Sequence, residues 1–148
     1  MSTLFLNRLY SALGKNKVYT DGGNLTVYSS DASIYSILPQ AVVRIESPSD
    51  LVKTINICRE FRIPITARSG GTGLAGGAVG RGVILDFCAH DKNIRIDPDK
   101  KRAYSDAGVI YEDLNKLAAK YGLMFPPDPS SGDSCRLGGM LGTNAAGS

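Results

Sequence analysis

The 148-residue sequence has no tryptophan, one histidine, three cysteines, no extended run of like charge and no long apolar run. Cys58, Cys88 and Cys135 form an odd set without CxxC spacing, which argues against a disulfide framework or a zinc knuckle and predicts reduced thiols. The net charge of +3 is spread over 17 basic and 14 acidic side chains, so there is no footprint for nucleic acid or an anionic membrane. The N-terminal apolar stretch ends at Asn7 and Arg8, too soon for a signal segment, and nothing approaches the roughly 18 apolar residues of a membrane span. The expectation is a soluble cytoplasmic protein, with any attachment to the inner membrane made peripherally through a partner. His90, in Ala89-His90-Asp91-Lys92, has no partner in sequence and reads as a surface loop residue rather than a base or a ligand.

What is present suffices for a core. Hydrophobic residues make up 43% and charged residues 21%, and a chain of about 150 residues can bury some 68–70% of its unfolded surface. Leu4, Leu6, Leu9, Tyr10 and Leu13 predict a short helix over 3–13 ended by Gly14, followed from Lys15 to Gln40 by an arm with little regular structure. Ala41–Glu46 reads as a strand. Ser47-Pro48-Ser49-Asp50 then carries an N-cap, a first-position proline and a capping-box acid. The helix it starts has an apolar stripe at Leu51, Ile55, Cys58 and Arg62, flanked by Val52 and Phe61, and stops before Pro64; Ile63–Arg68 returns as a strand. This is a β-α-β unit. Strands at 83–87, 94–97 and 102–106 are expected to be antiparallel, with a turn at Asp97–Lys100. Ile110, Leu114, Leu117, Ala118 and Tyr121 predict a second helix, supported by Glu112 and Lys116 and stopped by Gly122. Asp86, Asp97 and Asp106 read as turn acceptors, and Met140 as a packing residue.

Glycine is the excess. Twelve of the 17 fall in two segments, seven between Arg68 and Val83 and five in the tail. Gly71, Gly73 and Gly76 spell GxGxxG after a strand, but the six residues before Val83 leave no room for a Rossmann helix. A Walker reading fails because Gly77-Ala78 stands where Lys-Ser/Thr is required. A glycine-rich loop remains, able to adopt positive φ and aim several N–H groups at one anion such as a pyrophosphate, with Thr72 or Ser69 adding a hydroxyl. An ordinary long turn would also suit these residues. That alternative weakens beside the second segment, Leu137–Gly147, which is too extended for a turn and too uncharged for a solvated tail; its small residues suit close packing on a large ligand.

The stretches AVVRIESPSDLVKTINICREFRIPITARSGGTGLAGGAVGRGVILDF and PPDPSSGDSCRLGGMLGTNAAGS together resemble the FAD-binding domain of the vanillyl-alcohol oxidase/PCMH flavoprotein family, in the branch of D-lactate dehydrogenases and the glycolate oxidase FAD subunit. The resemblance spans residues 17–148. It implies an α+β PCMH-type fold, with residues 1–38 as an N-terminal helix and arm and 39–148 as a FAD domain truncated at its C-terminal side. It further implies that Arg68, Ser69, Gly70, Gly71, Thr72, Gly73 and Leu74 surround the FAD phosphates. By the same carry-over, Asp128, Pro129, Ser134, Cys135, Gly138, Gly139, Thr143 and Asn144 line the ribityl and isoalloxazine part. Some relatives attach FAD through a histidine in the first loop; this loop has none, so non-covalent FAD is expected. The implied activity is oxidation of a D-2-hydroxy acid by hydride transfer to flavin N5, with an electron acceptor or iron–sulfur partner. The catalytic residues of such a protein lie beyond this chain. A sugar or polyol oxidase of the same family, or a nucleotide-phosphate binding module without redox activity, are the alternatives.

Overall fold

A computed structural model describes residues 2–89 and 93–147, which divide into two compact units, Met1–Ala89 and His90–Ser148. The reading of His90 lies outside the described residues.

The first unit opens with α1 (Thr3–Leu13), capped by the Ser2 hydroxyl accepting from Phe5 N–H at 3.2 Å and ended at Gly14, where φ is +87°. Phe5, Leu9 and Leu13, each one turn apart, form its buried stripe. The expectation of an irregular arm is corrected. A 3-10 turn at Lys15–Lys17 leads into β1 (Val18–Tyr19) and then α2 (Gly22–Val27). The carboxylate of Asp21 accepts from Asn24 N–H at 3.0 Å, and this cap lets a helix start on two glycines that would otherwise read as a turn.

After β2 (Ala41–Arg44), α3 (Pro48–Glu60) begins as its sequence predicts, with Ser47 and Asp50 forming a full capping box. Asp50 also receives Lys17 Nζ at 2.9 Å, which fastens the arm to the helix start. The predicted stripe is corrected: Asp50, Thr54, Ile57 and Cys58 are buried, while Ile55 is 38% exposed and Val52 more so. Thr54 can occupy the buried face because its hydroxyl donates to the Asp50 carbonyl at 2.7 Å, leaving only its methyl to pack.

Four strands form one sheet in the order β1-β2-β4-β3, with β3 at Ile65–Arg68 and β4 at Val83–Asp86. The antiparallel expectation for residues 83–87 is corrected. β4 lies between β2 and β3 and runs parallel to both, pairing Val83 with Ala41 on one side and Ile65 on the other. Parallel neighbours need a connection of about a dozen residues or more, and the glycine-rich stretch 69–82 supplies it without a helix. Alternate residues of β2 and β4 serve opposite faces. Val43, Ile45, Val83 and Leu85 join Phe5, Leu9, Leu13, Ile57 and Cys58 in one core, where Phe5 and Phe61 meet edge to face at 5.4 Å.

In the second unit, β5 (Ile94–Asp97) and β6 (Arg102–Ser105) make the expected antiparallel hairpin, its turn held by Asp97 accepting from Lys100 N–H at 3.1 Å. α4 (Tyr111–Ala119) buries Tyr111, Leu114 and Ala118; Glu112 and Lys116 pair at 2.8 Å, and Gly122 follows at φ +66°. The segment Leu137–Gly147, too long for a turn, begins as a helix that its sequence does not signal, α5 (Leu137–Thr143). Leu137 N–H and Gly138 N–H donate to the Val109 and Ala107 carbonyls at 2.9 and 3.0 Å. These bonds anchor the first turn and offset the entropic cost of its glycines. Val109, Tyr111, Leu114, Cys135, Leu137 and Met140 form this unit's core. Among the described residues, no helix is long and apolar enough to cross a membrane.

Candidate functional site

Of the first seven predicted site residues, Arg68 ends β3 and the other six, Ser69, Gly70, Gly71, Thr72, Gly73 and Leu74, lie in the loop that follows. Gly71 and Gly76 take left-handed φ values of +65° and +74°, conformations that glycine adopts without strain. Among the described residues, no acceptor receives the N–H groups of residues 70–75. These amides are available as donors to a group from outside the described residues, and Thr72 adds a hydroxyl. Gly73, Leu74 and Ala75 are exposed, Leu74 to 80%.

Neighbouring groups fix the shape of this loop. Arg68 Nη1 donates to the carbonyls of Ser30 (2.7 Å), Ala78 (3.4 Å) and Tyr28 (3.5 Å), and the guanidinium stands 5.2 Å from the centre of the Tyr28 ring. The Tyr28 hydroxyl donates at 2.6 Å to the buried carboxylate of Asp86, whose other oxygen accepts Cys88 N–H at 2.8 Å. Burial first, and then the bond to Asp86, push the Tyr28 phenol above its ordinary value. The Cys88 thiol donates to the Ser69 carbonyl at 3.0 Å. Asp31 accepts from Ser33 and Ala78 N–H at 2.9 and 3.2 Å. Burial acts to raise its carboxyl, but these bonds and the nearby Arg68 charge outweigh that and hold it below the ordinary range. Tyr28, Asp31 and Tyr35 carry no local sequence signal for such a role, because each meets the loop from roughly 40 residues upstream.

The second group of predicted residues lies in the second unit. Asp128 accepts from the Tyr111 hydroxyl at 3.3 Å and pairs by its backbone with Ala146 and Gly147, where a Cβ would collide with it. Pro129, next in the chain, is half-buried. Ser134 is exposed and donates to Asp133 at 2.8 Å. Cys135 is a core residue; burial first raises its thiol pKa, which disfavours thiolate chemistry. Gly138 sits where a Cβ would lie 2.7 Å from that of Ala107, while Gly139 is half-buried on α5. Thr143 donates back to the Gly139 carbonyl at 2.9 Å, and Asn144 ends the helix exposed, at φ +52°. Arg136 Nη1 donates to Gly108 at 3.0 Å, while its buried Nε has no acceptor among the described residues.

Comparison with known proteins gives a consistent result. The family model described as an FAD binding domain matches residues 39–148. The sequence is 37% identical over 123 residues to D-2-hydroxyglutarate dehydrogenase of Escherichia coli, covering 80% of this chain and 12% of that protein. It is 35% identical over 124 residues to glycolate oxidase subunit GlcD of Bacillus subtilis, covering 82% and 26%. The chain thus spans about a quarter or less of these relatives. Among solved structures, alkyldihydroxyacetonephosphate synthase superposes over 99% of this chain and 30% of its own with a TM-score of 0.85 at 18% identity. A substrate-bound p-cresol methylhydroxylase does so over 83% and 26% with a TM-score of 0.70 at 23% identity, and both likenesses bear on the fold. With three-quarters of its length matched and an α+β mixed sheet in agreement, the chain belongs to the FAD binding domain family of PCMH type.

Proposed function

We propose that this chain is the FAD-binding part of a flavoprotein oxidoreductase that oxidises a D-2-hydroxy acid of the lactate or glycolate type, the class to which the names of the two curated relatives point. The observation that carries the reading is the row of backbone amides at residues 70–75 that have no acceptor among the described residues, on a loop carrying two left-handed glycines. Such a surface fits a diphosphate: Gly73 has no neighbour within 4 Å of where a Cβ would stand, so an anion can approach the main chain. Ser69, Gly70, Gly71, Thr72, Gly73 and Leu74 would hold the phosphates, with Arg68 at the loop's root. Asp128, Pro129, Ser134, Cys135, Gly138, Gly139, Thr143 and Asn144 are proposed to border the ribityl and isoalloxazine part.

Bound flavin would supply a hydride acceptor, N5, for the α-hydrogen of the substrate. The chain's own part is to bind and orient. Free amides complement the diphosphate charge without reorganising, and the small residues of α5 leave room for a flat ring system. Attachment is non-covalent, since residues 69–77 contain no histidine, cysteine or tyrosine. The reoxidising partner is an electron acceptor or an iron–sulfur protein.

The full-length protein should purify yellow and release intact FAD into the supernatant on acid treatment. Colourless protein that takes up no FAD would overturn the proposal, and colourless protein that binds ADP would point to a nucleotide-phosphate module without redox activity. With an artificial acceptor, turnover of D-2-hydroxy acids is expected; turnover of polyols alone would move the protein to the sugar oxidases.

A further inference from the structure

We propose that Tyr28, Asp31 and Tyr35 act with Arg68 as a positioning clamp that shapes the 70–77 loop before any ligand arrives. The clamp rests on the FAD reading only for the identity of the ligand. Its three upstream members lie outside the region matched by the family model, which starts at residue 39.

The geometry assigns a separate task to each member. The Arg68 fork takes in carbonyls from both sides of the loop, Ser30 and Tyr28 on the arm and Ala78 on the returning leg. Its Nη2 stands 2.8 Å from where a Cβ of Gly71 would be, so the arginine fills the space beside that left-handed glycine. Asp31 fixes the other end through Ala78 N–H, while Ala32 N–H donates to the Gly71 carbonyl at 3.0 Å. Tyr35 packs against the second left-handed glycine: a Cβ at Gly76 would lie 2.6 Å from its ring. Tyr28 supports the guanidinium with its face and is itself held by Asp86. The Nη1 donors therefore point to main-chain carbonyls, which marks Arg68 as the loop's internal strut rather than a free cation reaching for phosphate.

The two roles predict opposite signs for Asp31→Asn. If Arg68 acted on phosphate through its charge, removing a neighbouring carboxylate would tighten anion binding. Under the clamp, an asparagine offers one acceptor where two N–H groups need one each, and its amide group opposes the second. The loop loosens, and binding weakens by about tenfold, the size of a lost hydrogen bond to a charged group.

The test uses the full-length protein stripped of cofactor, with Asp31→Asn and the milder Tyr28→Phe. FAD and ADP affinities are measured by calorimetry, and trypsin cleavage is timed after Arg81, which is exposed on the returning leg, against cleavage after Lys101 in the β5–β6 turn. The expected result is weaker binding of both nucleotides and faster cutting at Arg81, with cutting at Lys101 unchanged. Tighter or unaltered nucleotide binding overturns the clamp, as does equal acceleration at both sites, which would report only general destabilisation. If the parent protein binds neither nucleotide, the FAD reading fails by itself, and the Arg81 rate alone decides the clamp: acceleration supports it and constancy overturns it.

Discussion

The two glycine-rich segments share a composition and do different physical work. Residues 69–82 form a loop whose amides at 70–75 have no acceptor among the described residues, so there glycine supplies left-handed turns and an open donor surface. In α5 the amides of Leu137, Gly138 and Met140 are all bonded, to Val109, Ala107 and Arg136, and the glycines let a helix sit close against residue 107. Composition therefore marks both segments as places of close approach, and the supply of backbone acceptors decides which amides stay open to a ligand: those of the loop do, while the first turns of α5 commit theirs to the chain.

Alanine substitutions can break this comparison. Gly82→Ala should have the largest effect, because Gly82 is buried and the new methyl would collide with the Pro64 backbone carbonyl, which cannot swing away; a loss of about 3 kcal/mol by urea unfolding is expected. Gly138→Ala should cost less, about 2 kcal/mol, since its nearest obstacle is the Ala107 methyl and a small shift of α5 relieves part of it. Gly142→Ala should go the other way, stabilising by about 0.5–1 kcal/mol, because nothing lies within 4 Å and alanine is the better helix former. A destabilised Gly142→Ala protein would mean that α5 is not the helix described.

The smallest effect expected is with acid. Burial acts to raise the Asp50 carboxyl, but the Lys17 hydrogen bond, the Glu46 N–H, the Ser47 side chain and the Lys17 charge prevail and depress it. A depressed acid contributes stability above its unfolded value, near 4, and loses it as pH falls through the folded value. Unfolding midpoints of the first unit should therefore drop below about pH 4, and Lys17→Met should flatten that drop. A midpoint insensitive to Lys17 would remove the pair from the account.

Much of the fold was legible because it is local. Ser47, Pro48 and Asp50 announce α3 within four residues, and Asp97 and Lys100 announce the hairpin within the same span. The position of β4 was not legible, because parallel insertion between β2 and β3 depends on partners some 20 to 40 residues away. The buried face of α3 was misread because Thr54 hides its hydroxyl on its own backbone, which no hydrophobicity count anticipates. For the site, the glycine spacing pointed to the loop, but the groups that hold it, Tyr28, Asp31, Tyr35 and Asp86, are ordinary residues made relevant only by the fold.

Because β3 and β4 run in the same direction side by side, the chain must travel back along β3 before β4 can begin, and Gly80 and Gly82 lie against Thr66 and Pro64 on that return. One span is thus both the proposed anion cradle and the lead-in to the central strand. An occupant that steadies the loop steadies the start of the strand with it, so saturation and melting temperature should rise together.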